Sequence, residues 1–240
     1  MWLALTLLSV PIANKVAKGN RQERGLFLYG LSFPNSNAVA TPLLLAFMGM
    51  AGLFQMNLFT LFMVITTYAW GIGLFLDVEK KNPIKRFLIH LCNPTFIALL
   101  IGLFLGAIGA KNWMPTVVCD FLGDLSGCFV PVSMILTGYM IAEYPLKSAF
   151  QLPKSYLFAF LRLLVIPGLA LLAVWFLGLP KNVATLTVLF FSGPCGMNVV
   201  VFPAAYGQDC KTGVSLVLLS TLGALITVPI MYALLQLIYP

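Results

Sequence analysis

Three asparagines stand where a membrane-crossing sequence would carry leucine or valine, each close to helix-breaking residues. Asn35 and Asn37 fall in Ser32-Phe33-Pro34-Asn35-Ser36-Asn37-Ala38-Val39-Ala40-Thr41-Pro42, inside an apolar segment from about Gly25 to Met50. Asn198 falls in Ser192-Gly193-Pro194-Cys195-Gly196-Met197-Asn198-Val199-Val200-Val201-Phe202-Pro203. A carboxamide both donates and accepts hydrogen bonds. A half-helix that starts after a break presents unpaired N–H groups and a partial positive end. Two such ends are expected near Ala40 and Val199, facing each other at mid-membrane. The chemistry that suits this set is recognition of an anionic group such as a carboxylate. No Lys or Arg lies within either stretch, so binding is expected to rest on dipoles and amides. A second role stays open for Asn37, that of a local cap bonding the freed carbonyls.

Backbone geometry requires the breaks. Pro34 and Pro42 cannot both lie in one undisturbed helix, since each removes a donor and clashes with the preceding turn. Freed backbone at bilayer depth survives only where it is buried in protein or lines a wet cavity. The Ser-x-Pro pattern recurs 160 residues on, at Ser192 and Pro194. Paired interruptions in corresponding halves point to the binding site of a secondary transporter; two unrelated proline kinks are the plainer alternative.

Composition sets the class. Hydrophobic residues make up 60% of the 240 and charged ones 9%, against roughly 25% charged in a soluble domain. The net charge of +7 is spread over short loops between apolar segments, so no nucleic-acid face is indicated. The cysteines Cys92, Cys119, Cys128, Cys195 and Cys210 form no C-x-x-C or Cys/His spacing, which leaves no disulfide framework or zinc site. The apolar start, Met1 to Ala13, is read as part of a span and not as a signal peptide.

Eight hydrophobic segments follow one another: Met1 to Ala13, about Gly25 to Met50, Leu53 to Leu76, Phe87 to Ala110, Pro115 to Ala142, Tyr156 to Leu179, Val183 to Tyr206 and Thr212 to Leu237. The rich basic loops, Lys15 to Arg24 and Lys80 to Arg86, alternate with poor ones. The positive-inside rule then puts the loops after segments one, three, five and seven in the cytoplasm and both termini outside. The two interrupted segments are thereby entered from opposite sides, as inverted repeats require. The expected organisation is a single transmembrane domain over 1–240: a partial first repeat at 1–76, a cytoplasmic linker at 77–86 and a second repeat at 87–240.

These motifs resemble the auxin efflux carrier family, bacterial permeases related to the plant PIN carriers. Phe33 to Leu44 looks like that family's broken fourth helix, and Asn93-Pro94 with Ala98, Gly102 and Pro115 like its sixth. Pro131 to Gly138 resembles the seventh, and Arg162 with Pro167 the eighth. Pro194-x-Gly196-x-Asn198 followed by Tyr206-Gly207-x-Asp209 is similar to the broken ninth, and Ser220-Thr221-Leu222 with Thr227 and Pro229 to the tenth. Where Asn37 and Ala40 stand, the family usually carries a Gly or apolar residue and a Gly, which implies a more polar, tighter cavity. The resemblance implies an all-α membrane protein, a helical bundle of inverted repeats with two crossed broken helices. Against the family's pattern it would be a ten-helix transporter incomplete at its N-terminus. It further implies a plasma-membrane permease moving a small organic anion, a dicarboxylate or an auxin-like carboxylate, by alternating access. The alternative is a non-transporting membrane protein, or an interaction partner of a full-length carrier.

The expected substrate-binding residues are Pro34, Asn35, Asn37, Pro42, Pro194, Gly196 and Asn198. Ionisable residues inside spans are functional candidates by default, which makes Asp124 the candidate for ion coupling. Asp120, one turn nearer the helix start, suits a dipole-stabilised exposed acid. Arg162 is expected to snorkel to the cytoplasmic interface, Asp209 to cap the last helix, and His90 to lie at an interface. No catalytic motif is present, so no enzyme is expected, and no cofactor or metal. The expected partners are the anion and the lipid bilayer, with a homodimer left open and no nucleic acid.

Overall fold

Two helices of equal length stop two residues short of a proline, and the chain beyond one end meets the chain beyond the other in the interior. The structure, a computed structural model, describes residues 2–17, 21–35, 94–128, 150–205 and 207–239, with shorter runs within 44–74 and scattered positions within 131–142. Among the described residues every regular element is a helix.

Helix α1 (Trp2–Ala17) packs on α2 (Arg21–Ser32). Every residue of α2 from Gly25 to Ser32 is buried, so it is a core helix and not an amphipathic surface one. It ends at Ser32 because the residue before Pro34 is pushed out of helical geometry and Pro34 itself cannot donate. A short 3-10 turn at Gly71–Leu74 returns to α2, its Leu74 backbone lying where a side chain at position 25 would stand. That contact leaves only glycine at 25.

Helices α3 (Pro94–Ala107) and α4 (Thr116–Gly127) carry exposed apolar side chains, among them Phe104, Val117 and Phe121. No residue of α4 is buried. Helix α5 (Pro153–Phe176) is long and apolar enough to cross a bilayer. It is widened at Leu161–Val165, where the Ile166 N–H reaches back five residues to the Leu161 carbonyl. Pro167 explains the widening, since its ring has no N–H and would clash with the carbonyl four residues earlier in a regular helix.

Helix α6 (Lys181–Ser192) repeats α2 at the same 160-residue offset at both ends, Arg21 to Lys181 and Ser32 to Ser192. It is buried from Ala184 onward and halts before Gly193-Pro194. The chain resumes as α7 (Asn198–Ala205) and then α8 (Lys211–Ile238), the second helix long enough to span. A core of Phe27, Tyr29, Phe33, Phe158, Phe190 and Phe191 joins α2, α5 and α6. A second cluster, Val174, Ala184, Val188 and Leu235 among them, joins α5, α6 and α8.

At one end of the bundle three loops meet. Lys154 Nζ pairs with both carboxylate oxygens of Glu23 at 2.8 and 3.0 Å, and Gln22 Nε2 donates to the Asp209 carbonyl. An ion pair this exposed adds under about 1 kcal/mol. Its use here is positional: the starts of α2 and α5 and the loop before α8 share one end. From that end, the 12 residues of α2 rise about 18 Å at 1.5 Å per residue, somewhat over half of a ~30 Å hydrocarbon core. The helix is therefore too short to cross that core by itself.

Candidate functional site

Each break leaves backbone groups that water cannot reach, and the two breaks satisfy one another. Pro34 and Cys195 form an isolated antiparallel bridge. The Asn35 N–H donates to the Pro194 carbonyl at 2.7 Å, and the Gly196 N–H to the Phe33 carbonyl at 3.2 Å. The two interrupted segments thus pass each other in opposite directions and touch at residues 33–35 and 194–196. Gly193 and Gly196 permit the approach. A Cβ on Gly196 would stand 3.1 Å from the Phe33 carbonyl oxygen, and one on Gly193 would stand 3.3 Å from that of Asn35.

The Leu31 and Gly193 carbonyls stand at the two helix ends. Both are taken by Arg162, whose Nη1 donates to Leu31 at 2.8 Å and whose Nε donates to Gly193 at 3.1 Å. The side chain is 0% exposed. Each helix C-terminus carries about half a negative charge, so the two ends together offset roughly one guanidinium. This corrects the expectation that Arg162 snorkels to the interface, and the expectation that no basic residue serves the breaks. Two buried helix ends attract a cation more strongly than a distant interface does. The widened turn of α5 is where Arg162 sits. The Cys195 N–H donates to Ser220 Oγ at 3.0 Å, which in turn donates back into α8.

Of the expected binding residues, Pro34, Asn35, Pro194, Gly196 and Asn198 are brought together at this crossing. Asn37 and Pro42 lie outside the described residues, as does His90. Asn35 is half-buried, and its side-chain amide makes no hydrogen bond among the described residues. Asn198, at the start of α7, donates through Nδ2 to the Tyr29 hydroxyl at 2.7 Å. Tyr29 is itself buried, stacked on Phe33 at 4.4 Å and edge-on to Phe202 at 6.1 Å. The first turn of α7 is partly self-satisfied, with the Val200 N–H on the Met197 carbonyl at 2.8 Å. Asp124 is exposed on α4, as is Asp120, and neither is brought to the crossing. Asp209 accepts from the Lys211 N–H at 3.0 Å at the start of α8. Tyr29 is a crossing residue outside every motif, and the motifs that hold Arg162 and Ser220 gave no sign of their roles at the crossing. An arginine in a 24-residue apolar helix is itself a functional signal.

Two helices long and apolar enough to cross a bilayer, and two interrupted helices that satisfy each other's backbone in the interior, are features of a helical membrane protein. A model of the membrane transport protein family matches residues 1–232. The chain belongs to that family, the auxin efflux carrier or PIN-like family, whose members are transporters and not enzymes. No curated protein and no solved structure matches it. The expectations of an all-helical fold, of the family and of a non-enzymatic role are met.

Proposed function

We propose that the chain is a secondary transporter that binds a small organic anion, a dicarboxylate or an auxin-like carboxylate, at the crossing and moves it by alternating access. The observation that carries this reading is the antiparallel pairing of the two breaks at residues 33–35 and 194–196 in a chain of a transport family. Two amides stand among the polar groups there. Asn35 has its side chain uncommitted and Asn198 uses one donor on Tyr29, which leaves capacity for a carboxylate from both halves. Helices of 12 residues at a common offset, passing in opposite directions, favour inverted repeats. On this reading 1–76 and 87–240 are the two repeats, joined by the linker at 77–86, and Asp124 is retained as the candidate for ion coupling.

Replacing Asn198 with Leu removes every amide donor and acceptor from the second break. The loss of a charge-assisted bond weakens carboxylate binding by about 1.5–3 kcal/mol, ten- to over a hundredfold. The measurement is the Kd of radiolabelled succinate and indole-3-acetate for the purified chain and the variant. Equal affinity in a normally inserted variant would make Asn198 a structural partner of Tyr29 and nothing more.

The orientation proposed rests on the alternation of basic loops, and the loops after segments one, five and seven meet at one end through Glu23, Lys154 and Asp209. A reporter fused after Pro240 should read as external and one within Lys80–Arg86 as cytoplasmic. Both reporters on one side of the plasma membrane would refute this topology.

A further inference from the structure

The guanidinium that ties the two breaks together is not fully used. Nε and Nη1 of Arg162 hold the Gly193 and Leu31 carbonyls, but Nη2 is buried and has no hydrogen-bond partner among the described residues. It forms no ion pair with any described carboxylate. A buried donor left without an acceptor costs about 1–3 kcal/mol, and more when it is charged. Such a group persists where a ligand supplies the acceptor. The other uncommitted polar group at the crossing, the Asn35 amide, has no charge, and the Asn198 amide has none either.

We infer that Arg162 is the residue that recognises the charge of the substrate, its Nη2 donating to a carboxylate oxygen while Nε and Nη1 keep the two helix ends in place. This rests on the anion-transport reading above and adds to it the group that separates an acid from its neutral amide. Asn35 and Asn198 bond acid and amide alike. Only Arg162 distinguishes them by charge. One side chain thereby links occupancy of the site to the geometry of both breaks.

The test compares succinate and indole-3-acetate with succinamide and indole-3-acetamide on the purified full chain. Wild type should prefer the acids. In Arg162→Gln, acid affinity should fall ten- to a hundredfold while amide affinity changes less than threefold, so the preference collapses. A parallel fall for acid and amide, or an unchanged preference, would overturn the inference and leave the transport reading standing. Wild type that binds none of the acids would overturn both. If Arg162→Gln does not fold, the same question goes to a chain in which Arg21, Arg24 and Arg86 are replaced by lysine. With guanidino-15N arginine and 13C-carboxylate succinate bound, a dipolar coupling between the labels is expected, and its absence would overturn the assignment.

Discussion

Arg162→Leu is expected to lower thermal stability more than any other single substitution at the crossing. Leucine relieves the burial of a charge but abandons the Leu31 and Gly193 carbonyls, both buried where neither water nor a helical neighbour can serve them. Each orphaned acceptor costs about 1–3 kcal/mol, so about 2–6 kcal/mol together. For a chain of this size that is a fall in melting temperature of roughly 5–20 °C. Arg162→Lys should fall between, because one ammonium replaces a fork that spans two acceptors. Melting of the purified variants, followed by intrinsic fluorescence, checks both. Arg162→Leu melting within a degree or two of wild type would show that the two helix ends need no common cation.

Gly213→Val should be nearly as damaging, for a steric reason. Gly213 lies in the first turn of α8, and a Cβ there would fall on the carbonyl oxygen of Val199 in the first turn of α7. Backbone cannot rotate away as a side chain can, so α8 must move off α7, at about 1–3 kcal/mol or more for an overpacked contact. The matched control is Gly168→Ala in α5, where nothing lies within 4 Å of the added carbon. It should stabilise by up to about 1 kcal/mol through helix propensity alone. Similar melting temperatures for the two variants would mean that α7 and α8 do not pack this closely.

The breaks themselves were readable because proline chemistry is local. Pro34 and Pro194 end their helices at Ser32 and Ser192 whatever surrounds them, and the 160-residue recurrence carried the pairing. The alternation of basic loops carried the expectation of opposite directions of entry, and the two segments run antiparallel where Pro34 and Cys195 meet. Arg162 was legible as an anomaly but not as a clamp. Its helical position reads as two turns from an interface, and only the packing of α5 against the ends of α2 and α6 reveals two carbonyls within reach. Tyr29 and Ser220 were hidden for a related reason. Each looks ordinary in its own helix, and its role comes from a partner far along the chain, Asn198 for one and the Cys195 N–H for the other.

The central claim is that the crossing of the two breaks is where an anion is carried across the membrane. Its most direct test is uptake of radiolabelled succinate and indole-3-acetate into proteoliposomes bearing the purified chain. The account predicts uptake above protein-free vesicles, competed by the unlabelled acids, and its loss in an Asn35→Leu, Asn198→Leu double variant that inserts to the same level. Uptake undiminished in the double variant would contradict it. So would binding of the acids by well-inserted wild-type protein with no uptake at all, the result expected of a non-transporting partner of another carrier.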